Sequence, residues 1–204
     1  QNTVIIIVQK TSKKDEISEN NNKFVLKNND HTIFGTIKNI KKFKFLYKNS
    51  TTLKEMKFKV NVGNVVWNQC KDILTSDKNQ TLLIYSSDIK NNNLEIKTYK
   101  NPTKKNYIQK NGSIDPLLVI NRGYGNGKYI FNYCLLNINK EYLIENHLIC
   151  IKYTENINKD DLIKLYKKII ESFKNQKTQK FVQYYFGNNA INTKELCEML
   201  PIYL

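Results

Sequence analysis

The chain predicts an α+β fold, a mixed twisted sheet or sheets followed by a C-terminal helical segment, and three observations carry that prediction. Apolar runs of strand length recur along the first three quarters of the sequence, the clearest being residues 117–120 and 129–136 on either side of a glycine loop. From residue 162 the spacing changes: Leu162, Leu165, Tyr166, Ile169, Ile170 and Phe173 follow the 3, 1, 3, 1, 3 interval of an amphipathic helix. Finally, 204 residues with 11% aromatics, thirteen of the residues being Tyr, are enough to bury one sizeable core and are unlike a disordered composition. Strands first and helices last is the order of an α+β domain.

Taken in order, residues 4–8 are all branched and apolar, which predicts a strand buried on both faces. Residues 10–23 are polar and Asn-rich, a loop or linker with little to bury. The start on Gln1, with a buried-type strand almost at once, is what a cut through a longer protein produces. Residues 1–23 are therefore assigned to the terminal strand and linker of a truncated domain, and 24–204 to a second domain whose helices begin at about residue 159. Residues 24–26 and 33–46 contain short alternating pieces, with Phe43 and Phe45 opposite Lys42 and Lys44, and are predicted as strands. Thr51 or Thr52 is placed to cap a short helix over 53–56, and 58–62 alternates as a strand up to Gly63. Residues 81–86 and 94–99 are further strands, separated by an Asn-rich turn at 91–93. Residues 142–151 predict one strand with a break at 145–147. Asn158 caps the long helix, Asp160 and Asp161 sit in its first turn and lysines dominate later, as the helix dipole favours. A second helix carries Phe181, Val182, Tyr185 and Phe186 and ends at Gly187; a third, capped by Thr193, carries Leu196, Met199 and Leu200 before Pro201.

The formal charge of +15 suits a polyanionic partner. Its alternative origin is an AT-rich genome that pushes surface positions towards Lys and Asn, and the excess is evenly spread: eighteen basic and nine acidic residues before position 101, fifteen and nine from there on. Cys70, Cys134, Cys150 and Cys197 lie far apart with no CxxC pair, so neither a zinc site nor a secreted disulfide framework is indicated. No apolar run approaches the roughly 18 residues of a membrane span and no signal peptide begins the chain, which together point to the reducing cytoplasm and away from a membrane.

Arg122 is the only arginine among thirty-three basic residues. It sits on the loop with glycines at 123, 125 and 127, where another molecule can come close to a planar, five-donor guanidinium. If that molecule is duplex DNA, the expected role is a bidentate contact to guanine O6 and N7 or a phosphate clamp, with Asn121, Tyr124 and Lys128 in support. The alternative is a brace to a carboxylate such as Asp115. Asn68 and Gln69 place two amides beside Trp67, the only tryptophan, and amides can pair with adenine N6 and N7; otherwise Trp67 is core and the amides are loop polar groups. Lys71, Lys104 and Lys105 are suited to phosphate contacts or to a solvated loop. His147 has no second ligand at metal spacing and is assigned a structural role. Residues 101–103, Asn-Pro-Thr, form a turn.

The succession of segments resembles the end of TaqI-like DNA adenine-N6 methyltransferases: the closing strand of the catalytic domain, then the target-recognition domain, which is related to the half-domains of type I specificity subunits. The parallels are QNTVIIIVQK for the closing strand, TLKEMKFKVNVG for entry into recognition, LLIYSSDIKNN and DPLLVINRGYG for two apolar strands with their loops, YLIENHLICI for the next strand, and LCEMLPIYL for the closing helix. Together they cover nearly the whole chain in order. The resemblance implies a module of a restriction-modification system that grips double-stranded DNA and reads bases, while a catalytic domain in cis or in trans flips adenine and methylates it from S-adenosylmethionine. This chain departs from the family where chemistry would occur: no glycine-rich cofactor loop follows Val8, and the Asn-Pro-Pro-Tyr motif is absent. No catalytic residue, cofactor site or metal site is therefore expected here. The rival readings are a non-catalytic specificity subunit, a structural or protein-binding domain basic only through genome composition, and a nuclease, for which Asp160-Asp161 and Asp15-Glu16 are the only adjacent acidic pairs.

Overall fold

The computed structural model describes residues 23–28, 31–123, 132–186 and 191–204. The strand predicted over 4–8, most of the linker at 10–23, and Tyr124 and Lys128 lie outside the described residues. The chain divides into two compact units, Gln1–Ser50 and Thr51–Leu204.

In the first unit, β1 (Val25–Asn28) pairs antiparallel with β2 (His31–Phe34), and α1 (Ile37–Tyr47) follows. The helix corrects the strand predicted over the later part of 33–46. Its cause is the i, i+3 series Ile37, Ile40, Phe43 and Leu46, of which the last three are buried while Phe45 is 61% exposed, so the Phe/Lys alternation was local. Thr36 supplies the start, its hydroxyl accepting from the Asn39 amide at 3.3 Å.

The second unit is built on two four-stranded sheets. The first contains β3 (Phe58–Val62), β9 (Leu117–Asn121), β10 (Tyr133–Leu136) and β12 (Leu148–Tyr153), in the order β10-β9-β12-β3 and antiparallel throughout. The second contains β4 (Leu74–Thr75), β5 (Thr81–Ile84), β8 (Tyr107–Ile108) and β11 (Tyr142–Ile144), in the order β11-β5-β8-β4. In it β11 runs parallel to β5 and the other pairs are antiparallel, so this sheet is mixed. A small hairpin, β6 (Ile89–Lys90) and β7 (Asn93–Leu94), turns through Asn91 and Asn92, both with positive φ, the conformation for which Asn is the usual non-glycine choice.

Helices α2 (Lys159–Lys174), α3 (Gln176–Tyr185) and α4 (Thr193–Glu198) close the chain. Against the first sheet, α2 sets Tyr166 5.7 Å from the Phe58 ring and Phe173 5.3 Å from the Tyr133 ring, and the Tyr166 hydroxyl donates to the Ile151 carbonyl at 2.9 Å. The opposite face of that sheet meets the second sheet through Leu82, Ile84, Val119, Leu136, Tyr142 and Leu148. β9 is thus covered on both sides, and Leu118, Val119 and Ile120 are each 0% exposed. That is why its sequence is an unbroken apolar run, worth roughly 1.5–3 kcal/mol of burial per large side chain. β5 repeats the arrangement, with Leu83 and Tyr85 turned to a third, outer cluster with Val65 and Ile108. The α+β class with C-terminal helices is the observed one. Among the described residues no helix is long and apolar enough to cross a membrane.

Four local predictions change. Residues 53–56 make one capped turn rather than a helix: the Thr52 hydroxyl accepts from Glu55 N at 3.2 Å and Glu55 Oε2 from Thr52 N at 2.8 Å, but Lys57 at φ 64° ends it, and Thr51 instead bridges to Ile202. The strand predicted over 94–99 stops at Leu94, because the Glu95 amide donates to the Asp88 carbonyl and the Lys97 amide to the Asp88 carboxylate. Residues 142–151 belong to two strands, β11 and β12, in different sheets. The last helix is capped by Asn192, not Thr193, in a reciprocal box with Glu195.

Candidate nucleic-acid interface

The chain passes from one sheet to the other at residues 145–147, and the corner is closely tied. Glu145 N donates to Ile84 O at 3.0 Å, Asn146 N to Val65 O at 2.9 Å and Leu148 N to Glu145 O at 3.1 Å. The Glu145 carboxylate, 2% exposed, accepts from His147 N at 3.1 Å and faces His147 Nδ1 at 2.5 Å. The segment after β3 lies alongside: Gly63 N donates to Leu148 O, and Val65 bridges to Glu145. Gly63 is required for this approach, since a Cβ there would lie 2.3 Å from the Glu145 carbonyl oxygen. The sequence showed this corner only as a polar interruption between two apolar runs.

Two groups of predicted residues flank the corner. On one side, residues 63–66 lead directly into a 3₁₀ turn, Trp67–Gln69, which holds the indole partly buried against the outer cluster and leaves Asn68, Gln69 and Lys71 exposed. Trp67 thus lies half-buried at the margin of the core, while the amides of Asn68 and Gln69 remain at the surface. On the other side, Asn121 ends β9 opposite Leu148, and Arg122 follows with its N–H donating to His147 O at 3.4 Å and its carbonyl accepting from Ile191 N at 3.1 Å. An exposed guanidinium is therefore carried on a backbone pinned at both polar groups, and Gly123 follows at φ 89°. Asp115 does not brace it: the two residues lie beyond opposite ends of β9, roughly 20 Å apart at strand rise, and the Asp115 carboxylate accepts from Ser113 Oγ at 3.0 Å.

Lys104 and Lys105 are half-buried rather than free on a loop. The Lys104 ammonium lies 4.1 Å from the Tyr85 ring centroid, 4.0 Å from that of Tyr99 and 5.6 Å from that of Trp67, while Lys71 stands 5.7 Å from the indole. Burial pushes the Lys104 pKa down, opposed by the charges of Glu145 and Asp88. Burial, with the same two carboxylates, pushes the Tyr85 phenol well up, and burial does the same at Tyr99. The Lys105 carbonyl accepts from the Tyr85 hydroxyl at 2.7 Å. Sequence reasoning missed Tyr85, Asp88, Tyr99 and Glu145 as parts of this site. The available signal was Asp88 three residues after Tyr85, the spacing at which its carboxylate receives the Tyr85 amide at 2.9 Å. Residues 101–103 form the predicted turn, Asn101 Oδ1 accepting from Thr103 N at 2.9 Å.

Chemically, the end of the unit around the corner offers exposed amides, a cationic edge and one exposed guanidinium on a hydrogen-bonded backbone. Among the described residues no group of three or more His, Cys, Asp or Glu side chains is placed to hold a metal ion. No protein-family model matches the chain, and no curated protein sequence matches it.

Proposed function

We propose that this chain is the sequence-reading module of an adenine-N6 DNA methyltransferase of a restriction-modification system. It binds double-stranded DNA through the end that carries Asn68, Gln69, Lys71 and Arg122. Methyl transfer from S-adenosylmethionine belongs to a catalytic domain, in cis or in trans. The observation that carries the reading is the convergence of two stretches far apart in sequence, 68–71 and 121–122, on the two sides of one corner at 145–147. The net charge of +15 supplies the sequence-independent attraction that such a surface uses.

The test is equilibrium binding of the chain to a panel of duplexes at several salt concentrations, with Arg122→Lys beside the wild type. A guanine-reading Arg122 gives a loss of about 1–3 kcal/mol confined to one base position. A phosphate-clamping one weakens all duplexes alike and lowers the salt slope by about one. Unchanged affinity and unchanged preference would remove Arg122 from the interface. Wild-type binding that is absent at low salt, or indifferent to salt, would favour a structural or protein-binding domain instead. The chain alone is expected to leave S-adenosylmethionine unreacted with any duplex.

A further inference from the structure

By sequence Lys104 suits a phosphate contact or a solvated loop, but its surroundings are those of a bound cation. Three aromatic rings face its ammonium, and each is fixed by something other than Lys104. Tyr85 is anchored through its hydroxyl to the Lys105 carbonyl at 2.7 Å. The Tyr99 hydroxyl donates to Asp88 Oδ1 at 3.1 Å and lies 2.8 Å from the Ser87 hydroxyl. The two tyrosine rings meet edge to face at 5.0 Å, and Trp67 is packed on the same cluster. Two buried carboxylates favour a cation here, Asp88 at 0% exposure, bonded to the Tyr99 hydroxyl, and Glu145 at 2%, bonded to His147. Ring faces attract ammonium groups, and the nearby carboxylates add to that attraction. The Lys104 ammonium is thus half-buried and held over ring faces, whereas Lys71, on the same indole, is exposed.

We propose that Tyr85, Tyr99 and Trp67 form an ammonium-binding box whose resident is Lys104, and that the docked ammonium positions the Trp67–Gln69 segment instead of contacting nucleic acid. The ligand class is a primary or methylated ammonium. The positioning role rests on the proposed reading of DNA; the box does not. Lys104 is a positioning residue and Lys71 the phosphate contact on this side of the corner.

Trp67 is the chain's single tryptophan, so its fluorescence reports directly on the box. The experiment compares wild type and Lys104→Ala, each titrated with methylammonium chloride against sodium chloride at equal ionic strength. The expected result is a changed Trp67 emission in Lys104→Ala that methylammonium returns saturably towards the wild-type spectrum, with no response from the wild type. A folded Lys104→Ala protein, judged by far-UV circular dichroism, with an unaltered spectrum or a flat titration overturns the box. In duplex binding, Lys104→Ala is expected to lose about tenfold in discrimination at the position read by Asn68 and Gln69, with an unchanged salt slope and recovery in methylammonium. A salt slope lowered by about one, with discrimination intact, overturns the positioning role and makes Lys104 a phosphate contact. If Lys104→Ala does not fold, Tyr99→Leu removes one wall while keeping the lysine, and the same changes in emission and discrimination are required of it. Wild-type protein that binds no duplex defeats the proposed function, and the fluorescence arm still decides the box.

Discussion

On the inner side of β5, Leu82 and Ile84 meet Val119, Leu136 and Leu148 in an aliphatic layer held between two sheets. On its outer side, Leu83 and Tyr85 meet Val65 and Ile108 in a smaller, aromatic cluster that also carries Asp88 at 0% exposure and the caged Lys104. Neighbouring residues of one strand thus enter two kinds of interior. The inner layer gains chiefly from apolar contact, the Tyr142 hydroxyl donating to the Asp115 carbonyl, and its walls are fixed by the ladders of both sheets. The outer cluster surrenders some of that gain to bury charge, and obtains a defined geometry for the segment at 67–69. Buried polar groups are directional where aliphatic contact is not, so a surface that must present particular atoms is better seated on the second kind of cluster.

The sharpest way to break this comparison is to cut the same amount of side chain from both faces. Ile84→Ala is expected to cost about 4 kcal/mol in urea unfolding, because the two sheets cannot collapse into the space, and Leu83→Ala about 2–3 kcal/mol, because the outer cluster has loop walls that can. Equal costs would mean that the outer cluster is as rigidly walled as the inner one.

Next in size is Asp88→Ala, expected to destabilise by about 3 kcal/mol. It removes the acceptor of the Tyr85 and Lys97 amides, at 2.9 and 3.0 Å, takes one of the two partners of the Tyr99 hydroxyl, at 3.1 Å, and removes a counter-charge of Lys104. A loss below about 1 kcal/mol would show that water replaces the carboxylate and that the cluster is open.

Alkaline titration separates the faces less sharply. Burial pushes the Tyr166 phenol, under α2, up to about 12. An unfolded tyrosine ionises near 10, so above that pH the unfolded state releases its proton first. The stabilisation is complete below about pH 10 and is lost as pH rises towards 12, at roughly 1.4 kcal/mol per pH unit for each such phenol. Tyr85 and Tyr99 are displaced in the same direction. Absorbance at 295 nm should therefore rise together with loss of near-UV circular dichroism; phenols titrating near pH 10 in the folded protein would contradict their burial.

The smallest effect concerns neither cluster and serves as the baseline. Asn158 Oδ1 accepts from Asp161 N at 2.9 Å, and Asn158→Ala is expected to cost about 1 kcal/mol of thermal or urea stability without changing the Trp67 spectrum.

Where one periodicity dominated, the sequence was sufficient. β9 and β5 were visible because burial on both faces demands consecutive apolar residues, and α2 because Leu162 to Phe173 repeats at helical spacing with Asn158 in the cap position. α1 was not, since Phe43 and Phe45 between lysines imitate a strand over a few residues, and only the longer series from Ile37 to Leu46 distinguishes the two. The candidate site was legible in three exposed members, Arg122 as the only arginine and Asn68 and Gln69 as adjacent amides beside the only tryptophan, whereas Lys71 did not differ from the other lysines. The box was not legible, because Trp67, Tyr85, Asp88, Tyr99, Lys104 and Glu145 are brought together by sheet register and by a parallel pairing that no local pattern encodes. Lys104 shows the consequence most clearly: its type suggested solvent and its position enclosed it.

The corner at 145–147 also bears on how the second unit opens. It joins the edge strand of one sheet directly to an interior strand of the other, and the amides of residues 145 to 148 are all hydrogen-bonded, two of them to β5 and to the segment after β3. Neither sheet can therefore peel away without tearing bonds that belong to its neighbour. The two should behave as one cooperative unfolding unit in native-state hydrogen exchange, with Glu145 and Asn146 as slow as the strand amides of β9 despite lying in a turn. The end that carries Asn68, Gln69 and Arg122 would then be anchored in the last part of the second unit to come apart.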